Sequence, residues 1–237
     1  MANEALEASG LKKTYGQGTA AVHVLNGLDL SLSAGEFVVI LGPSGSGKST
    51  LLNMLGLMDR PDHGEILFSG VPTSRLNEEA KARLRNERIG FVFQFDALLP
   101  EFTVLENITM PARIALAQRR DSGTLEQAED RGMELLGGLG LKQIRDRFPY
   151  QVSGGERQRA ALCRSLINRP TVLLADEPTG NLDKRNGELV FKDLKGLAES
   201  QGAAVLMVTH NESARDYAAR VLHMQDGMIV QDAERVR

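Results

Sequence analysis

Cysteine is nearly absent from this chain. Cys163 is the only one among 237 residues, so no internal disulfide can form and the composition suits a reducing compartment. It sits beside Leu162 and Leu166 in an expected helix and reads as a small buried apolar residue, not a reactive thiol. Long hydrophobic runs are missing too. None approaches the ~18 apolar residues that a membrane-spanning helix needs, so work at a membrane would require another chain to cross it. The opening stretch Met1-Ala2-Asn3-Glu4-Ala5-Leu6-Glu7 is acidic and lacks an apolar centre, so no secretory leader is expected. Positive charge is not in excess either. The net charge of −3 argues against a nucleic-acid footprint over the surface, and no nucleic-acid partner is expected. There is no internal repeat and no low-complexity segment. The remainder, 42% hydrophobic and 25% charged, is ordinary for a globular chain long enough for one large domain or two small ones.

Strand and helix signals alternate along most of the chain. Residues 6–41 read mostly as strand, with Leu28, Leu30 and Leu32 alternating with Asp29, Ser31 and Ser33 as in a half-exposed antiparallel strand. Further strands are expected at Glu65–Phe68, Ile89–Phe93, Val172–Ala175 and Ala203–Val208, and a hairpin around Asp226-Gly227. Helices are expected after Asn77, from Ser153 to Asn168, over residues 184–200 and near Glu212–Ala219. Residues 95–150 differ. Pro100 and Pro111 are expected to break this region, leaving a short helix at Thr103–Ile108, a longer one at Leu125–Leu136 and a polar turn at Arg119–Gly123. No strand signal appears there, so it reads as a helical insertion in an α/β chain built on a mostly parallel sheet.

The strongest chemical signal is Gly42-Pro43-Ser44-Gly45-Ser46-Gly47-Lys48-Ser49-Thr50. It follows the apolar run Phe37-Val38-Val39-Ile40 and opens onto a helix, which is the setting of a phosphate-cradling loop. Its glycines let successive N–H groups face one anion, and the helix dipole adds positive potential. Lys48 would reach the β- and γ-phosphates of a nucleoside triphosphate, and Ser49 would ligate Mg²⁺. Val172-Leu173-Leu174-Ala175 then runs into Asp176-Glu177. At the C-terminal edge of a parallel strand Asp176 is placed to hold Mg²⁺. Glu177, pointing the other way, is placed to orient or deprotonate a water. Ser153 and Glu156 have capping-box spacing around Gly154 and Gly155. Two glycines in a first turn cost roughly 1 kcal/mol each against alanine, which suggests close approach of an anion, best supplied by another subunit's nucleotide. His210 follows a strand end, where an imidazole could touch the γ-phosphate. Tyr15 reads equally as a platform for adenine or as strand packing.

Together these residues resemble the ATP-binding cassette (ABC) family over essentially the whole chain. Gly42–Thr50 matches Walker A, Gln94 the Q-loop, and Val152-Ser153-Gly154-Gly155-Glu156 the signature. Asp176 and Glu177 match Walker B and its catalytic glutamate, Gly180-Asn181-Leu182-Asp183 the D-loop, and His210 the switch histidine. The resemblance implies a P-loop NTPase (RecA-like) core with an N-terminal antiparallel β subdomain and an inserted α-helical subdomain, residues 1–94 and 151–237 forming the core and 95–150 the insertion. It implies ATP and Mg²⁺ as cofactors, with Ser49, Gln94 and Asp176 around the metal and Glu177, Gln94 and His210 in catalysis. Gly42, Ser44, Gly45, Ser46, Gly47, Lys48, Ser49 and Thr50 would hold the phosphates, and Tyr15 would stack on adenine. It also implies a head-to-tail homodimer in which Ser153, Gly154, Gly155, Glu156 and Asp183 act across the interface. A separate integral membrane permease is implied as well, which places the chain peripherally on the cytoplasmic face of the inner membrane.

The stretch Gln94–Ile108 is similar to the lipoprotein-releasing branch of the macrolide-exporter-like ABC ATPases, although Asp96 stands where that branch usually carries histidine. The alternative is an ATPase regulator of a cell-division or macrolide-exporter-like membrane complex. Phe95, Leu98, Leu99 and Phe102 read either as core of the insertion or as a groove for the membrane partner.

Overall fold

The computed structural model describes residues 4–118 and 123–234. Two strands, β1 (Glu4–Tyr15) and β2 (Val22–Ser33), pair antiparallel before β3 (Phe37–Leu41) leads through the glycine-rich loop into α1 (Lys48–Leu55). Next come β4 (His63–Phe68), the short β5 (Val71–Pro72), α2 (Glu78–Arg88) and β6 (Ile89–Val92). Helices α3 (Val104–Ala117), α4 (Leu125–Gly138) and α5 (Gly154–Leu166) precede β7 (Val172–Asp176), α6 (Lys184–Gln201) and β8 (Ala204–Thr209). A 3₁₀ turn at Glu212–Asp216 and the hairpin of β9 (Arg220–Gln225) and β10 (Met228–Glu234) follow.

The strands form two sheets. One is antiparallel in the order β2-β1-β4-β5; the other runs β10-β9-β3-β8-β7-β6 and is parallel except for the β9–β10 hairpin. Side-chain alternation on the parallel strands divides the core in two. Val38, Ile40, Leu174, Leu206 and Val208 face the antiparallel sheet and α1, packing with Leu6, Leu11, Leu28, Leu52 and Leu55. Val39, Leu41, Leu173, Ala175, Val205 and Met207 face the helices, packing with Leu162, Leu166, Phe191 and Leu194. Val104, Ile108, Leu136, Leu141 and Ile144 of the 95–150 region join that second cluster. Cys163 is buried there, and burial pushes its thiol up to about 12.

Two expectations fail. The helix expected to end at Ile108 continues through Pro111 to Ala117. A proline in a helix interior costs roughly 3 kcal/mol, but the buried stripe Val104, Ile108, Ala112, Ala115 carries on past it. A capping box of Thr103 and Glu106 anchors the start, and Asn86 Nδ2 donates to the Pro111 carbonyl at 3.1 Å. Packing therefore outweighs the local breaker. The second failure is the helix expected at Glu212–Ala219, which is only the 3₁₀ turn Glu212–Asp216. There Asn211 caps Ser213 at 3.0 Å, and Tyr217 leaves the turn to stack obliquely on Phe191. The polar turn expected at 119–123 lies, apart from Gly123, outside the described residues.

Candidate functional site

The C-terminal edge of the parallel sheet gathers the glycine-rich loop, Gln94, the Asp176-Glu177 pair and His210. Leu41 at the end of β3 pairs with Thr209 on β8, and Asp176 on β7 pairs with Val208. One register thus delivers the glycine-rich loop, the Asp176-Glu177 pair and His210 to one rim, the place where open α/β sheets bind ligands. A cavity of about 460 Å³ opens there, lined by Val24, Ser44, Gly45, Gly47, Lys48, Ser49, Thr50, Gln94, Glu177 and His210.

Helix α1 starts at Gly47, whose φ of 101° is left-handed and whose missing Cβ would fall 2.8 Å from the Val24 carbonyl. No side chain caps this end. Lys48 is buried and donates to the carbonyls of Gly42 (2.8 Å) and Pro43 (2.9 Å), so its ammonium sits inside the curl of the loop. Burial holds its pKa below the usual lysine value against the opposing pull of Glu177 and Asp176. Ser46 Oγ is buried with no hydrogen-bond partner among the described residues. It lies against Gly42 and not in the cavity wall.

Ser49 Oγ donates to Asp176 Oδ1 at 3.2 Å. Burial raises the Asp176 carboxyl above its ordinary range, and the Ser49 bond pulls it back. Glu177 follows with φ 45°, a left-handed conformation that costs a non-glycine residue about 1–3 kcal/mol. The neighbouring strand over-determines it. Thr209 Oγ1 donates to Oε2 at 2.8 Å, the His210 N–H donates to Oε1 at 3.0 Å, and His210 Nδ1 lies 2.9 Å from that same oxygen. The carboxylate is thereby held at the cavity wall while the His210 ring stays largely exposed. Thr209 was not singled out from sequence; its position beside His210 at a strand end was the available signal. Gln94 also lines the cavity, and its carbonyl accepts from Asn181 Nδ2 at 3.1 Å. Among the described residues no three His, Cys, Asp or Glu side chains cluster as metal ligands. The oxygens available to a cation are those of Ser49, Gln94 and Asp176, and such a set needs phosphate oxygens or water to complete it.

Tyr15 stands beside this cavity, not in its wall. Its hydroxyl donates to Asp59 Oδ2 at 2.6 Å, and the Lys13 ammonium lies 5.1 Å from the ring centroid. Burial and Asp59 raise its phenol pKa. The residue is 42% exposed.

The Ser153–Glu156 segment does not line the cavity of its own protomer. Ser153 N–H donates to Glu156 Oε2 (2.9 Å) and Glu156 N–H to Ser153 Oγ (3.3 Å), closing the expected capping box. Bonds from the Ser153 N–H and hydroxyl hold Glu156 below the usual carboxylate range. Gly155 has a packing reason for being glycine, since a Cβ would meet Asn186 Cγ at 2.8 Å. Only Gly154 is open to solvent for anion approach, so half of the sequence argument from two glycines is lost. Asp183 caps α6, accepting from the Asn186 N–H at 2.9 Å and from its side-chain amide at 2.7 Å.

A buried lysine in a glycine-rich curl after β3, an acid at the end of β7 two strands away and a strained, anchored second acid define a P-loop nucleotide hydrolase. The comparisons narrow the class. Residues 25–180 match the ABC transporter family model, and the chain belongs to that family as an ABC ATPase. It is 43% identical over 231 residues to the lipoprotein-releasing system ATP-binding protein LolD of Paramagnetospirillum magneticum, covering 98% of this chain and 100% of the relative. It is 45% identical over 230 residues to LolD 2 of Chlorobaculum tepidum, covering 94% and 91%. The dimeric structure of the bacterial ABC transporter cassette MJ0796 matches with a TM-score of 0.88 and 36% identity, over 98% of this chain and 99% of that one. The same cassette as a dimer in a post-hydrolysis state bound to ADP and Pi also matches with a TM-score of 0.88, at 35% identity and the same coverage.

Proposed function

We propose that this chain is the ATP-hydrolysing subunit of a lipoprotein-releasing ABC transporter, acting as a head-to-tail homodimer on integral membrane subunits in separate chains. The observation that carries the reading is 43% identity along the full length of a LolD relative. Among the described residues no helix is long and apolar enough to cross a membrane, which fits a peripheral subunit working at the cytoplasmic face of the inner membrane.

In this reading the N–H groups of residues 44–49 and the Lys48 ammonium bind the phosphates, and adenine stacks on the exposed face of Tyr15. The uncapped N–H groups at the start of α1 and the oxygen set of Ser49, Gln94 and Asp176 fit Mg²⁺–ATP. When bound, Mg²⁺ supplies charge neutralisation on the phosphate oxygens. Glu177 orients the attacking water and takes its proton. Thr209 and the His210 N–H fix that carboxylate, and the exposed imidazole faces the γ-phosphate. Ser153 and the Gly154 N–H of a second protomer close over the triphosphate.

Phe95 (69% exposed), Leu99 (41%) and Phe102 (37%) line the surface after Gln94, whereas Leu98 is core. Beside them a cleft of about 570 Å³ is walled by Phe91, Phe93, Ala97, Ile114 and Arg164, and it suits an apolar cytoplasmic helix of the membrane subunit. Depleting the protein in its own host tests the function. Lipoproteins should accumulate in the inner membrane, and a tagged copy should copurify with an integral membrane protein identifiable by mass spectrometry. Normal lipoprotein sorting with impaired division or drug efflux would contradict the proposal.

A further inference from the structure

Gln94 lines the nucleotide cavity, and two residues later the chain is fastened to the helix that begins at the Ser153–Glu156 box. Asp96 Oδ2 accepts from Arg157 Nε at 2.8 Å, and Arg157 Nη1 also donates to the Val152 carbonyl at 3.0 Å. Gln158 Nε2 donates to the Phe93 carbonyl at 2.9 Å. Arg164, two turns along α5, donates to the carbonyls of Ala97 (2.7 Å) and Asp96 (3.0 Å). Of the four bonds that tie residues 93–97 to α5, three end on main-chain oxygens and would survive any non-proline side chain at 93, 96 or 97. The ion pair alone depends on what residue 96 is. Its partners are 25% and 34% exposed, so water screens it less than a surface pair and it holds the geometry more firmly.

We propose that Asp96 is a positioning residue. The main-chain ties hold the segment after Gln94 to the body of α5, and the Asp96–Arg157 bond, with Arg157 also on the Val152 carbonyl, sets the orientation of the first turn beside Ser153, so the state of a protomer's own nucleotide pocket tunes the Ser153–Gly154 edge it offers its partner. Asp96 and Arg157 are 61 residues apart in sequence, and each lies within four residues of a group assigned to a different one of the dimer's two sites. A bond of this kind joins the two sites through one protomer. The inference rests on the head-to-tail reading above. Ser153→Arg measured alongside tests that reading separately, because wild-type turnover in that variant refutes it whatever Asp96 does.

The test is a double-mutant cycle on the isolated full-length subunit with Asp96→Asn, Arg157→Gln and the double variant, plus Asp96→Glu as the conservative change. Asp96→Asn keeps an acceptor for Arg157 and loses only the charge, so it should lower kcat roughly two- to fivefold, with KM for ATP changed by less than about twofold. Fluorescent-nucleotide affinity of the monomer and the melting temperature should match wild type. Asp96→Glu should recover at least about half the turnover, and the double variant should be no worse than the worse single one. Wild-type kcat in Asp96→Asn, multiplicative losses in the double variant, no recovery in Asp96→Glu, or a parallel fall in nucleotide affinity would each overturn the proposal.

Discussion

Helix α1 begins at Gly47 with no side-chain cap, inside a cavity; helix α5 begins at Ser153 with a complete capping box, in the open. A missing cap costs a helix about 1 kcal/mol. At α1 that cost is met by the surrounding sheet edge, where Leu51 and Leu52 are fully buried, and the bare N–H groups stay turned to the cavity beside Lys48. At α5 the helix satisfies itself through Ser153 and Glu156. Its end can therefore persist in an isolated protomer with no ligand to stabilise it. The first end has Lys48 and two carboxylates around it; the second presents a hydroxyl and the Gly154 N–H. In the function proposed above, one is a site and the other a lid for a site on a second protomer. Substitutions at the two ends should therefore fail in different ways.

The largest effect belongs to the first region. Glu177→Gln keeps the shape and the bond from Thr209, so ATP binding should persist while hydrolysis falls by about 10²–10⁴-fold, the typical contribution of a general base. Steady-state phosphate release beside an equilibrium nucleotide titration checks both halves. Retention of most turnover would pass the water to His210. Next comes the contrast between the two ends. Lys48→Ala should weaken ATP binding by roughly ten- to a hundredfold, as expected for losing a charge-assisted phosphate contact. Ser153→Arg should leave monomer binding within about twofold yet reduce hydrolysis by roughly 10²–10³-fold, the scale of removing transition-state donors. A shared loss of binding would erase the distinction.

Smaller effects are expected away from both ends. Phe95→Ala or Leu99→Ala should cut the membrane subunit's stimulation of the ATPase about two- to fivefold while the isolated subunit's rate and melting temperature hold, since truncating one apolar contact costs ~1 kcal/mol. A drop in melting temperature with equal loss of both rates would make these residues core. The smallest effect is at Cys163, on the buried face of α5. Its thiol, pushed up to about 12, should resist alkylating reagents in the native protein and react only on unfolding.

Legibility in the sequence followed the range of the interactions. Gly42–Thr50 and the Ser153–Glu156 box are contiguous, and the loop's curl and the capping box are made by neighbours within about six positions, so each could be read directly; the Asp176-Glu177 pair was legible as two acids at a strand end, but not the partners that hold them. The alternation of β2 and the Asp226-Gly227 hairpin were legible for the same reason. The rest depends on partners far along the chain. Local rules end a helix at Pro111, but its continuation rests on the packing of its buried stripe. Thr209 earns its role through a carboxylate 32 residues away, and Asp96 through an arginine 61 residues away. Gly155 shows the opposite error, a local cost read as a ligand signal when the cause is Asn186 on another helix.

The claim that a working site is shared between two protomers is tested most directly by size-exclusion chromatography of two proteins in saturating ATP. Glu177→Gln should run largely as a dimer, because a nucleotide held by both subunits stabilises their association. Glu177→Gln with Ser153→Arg should run as a monomer while binding ATP with the same monomer affinity. Equal dimer in both proteins, or loss of ATP affinity in the second, would contradict the account.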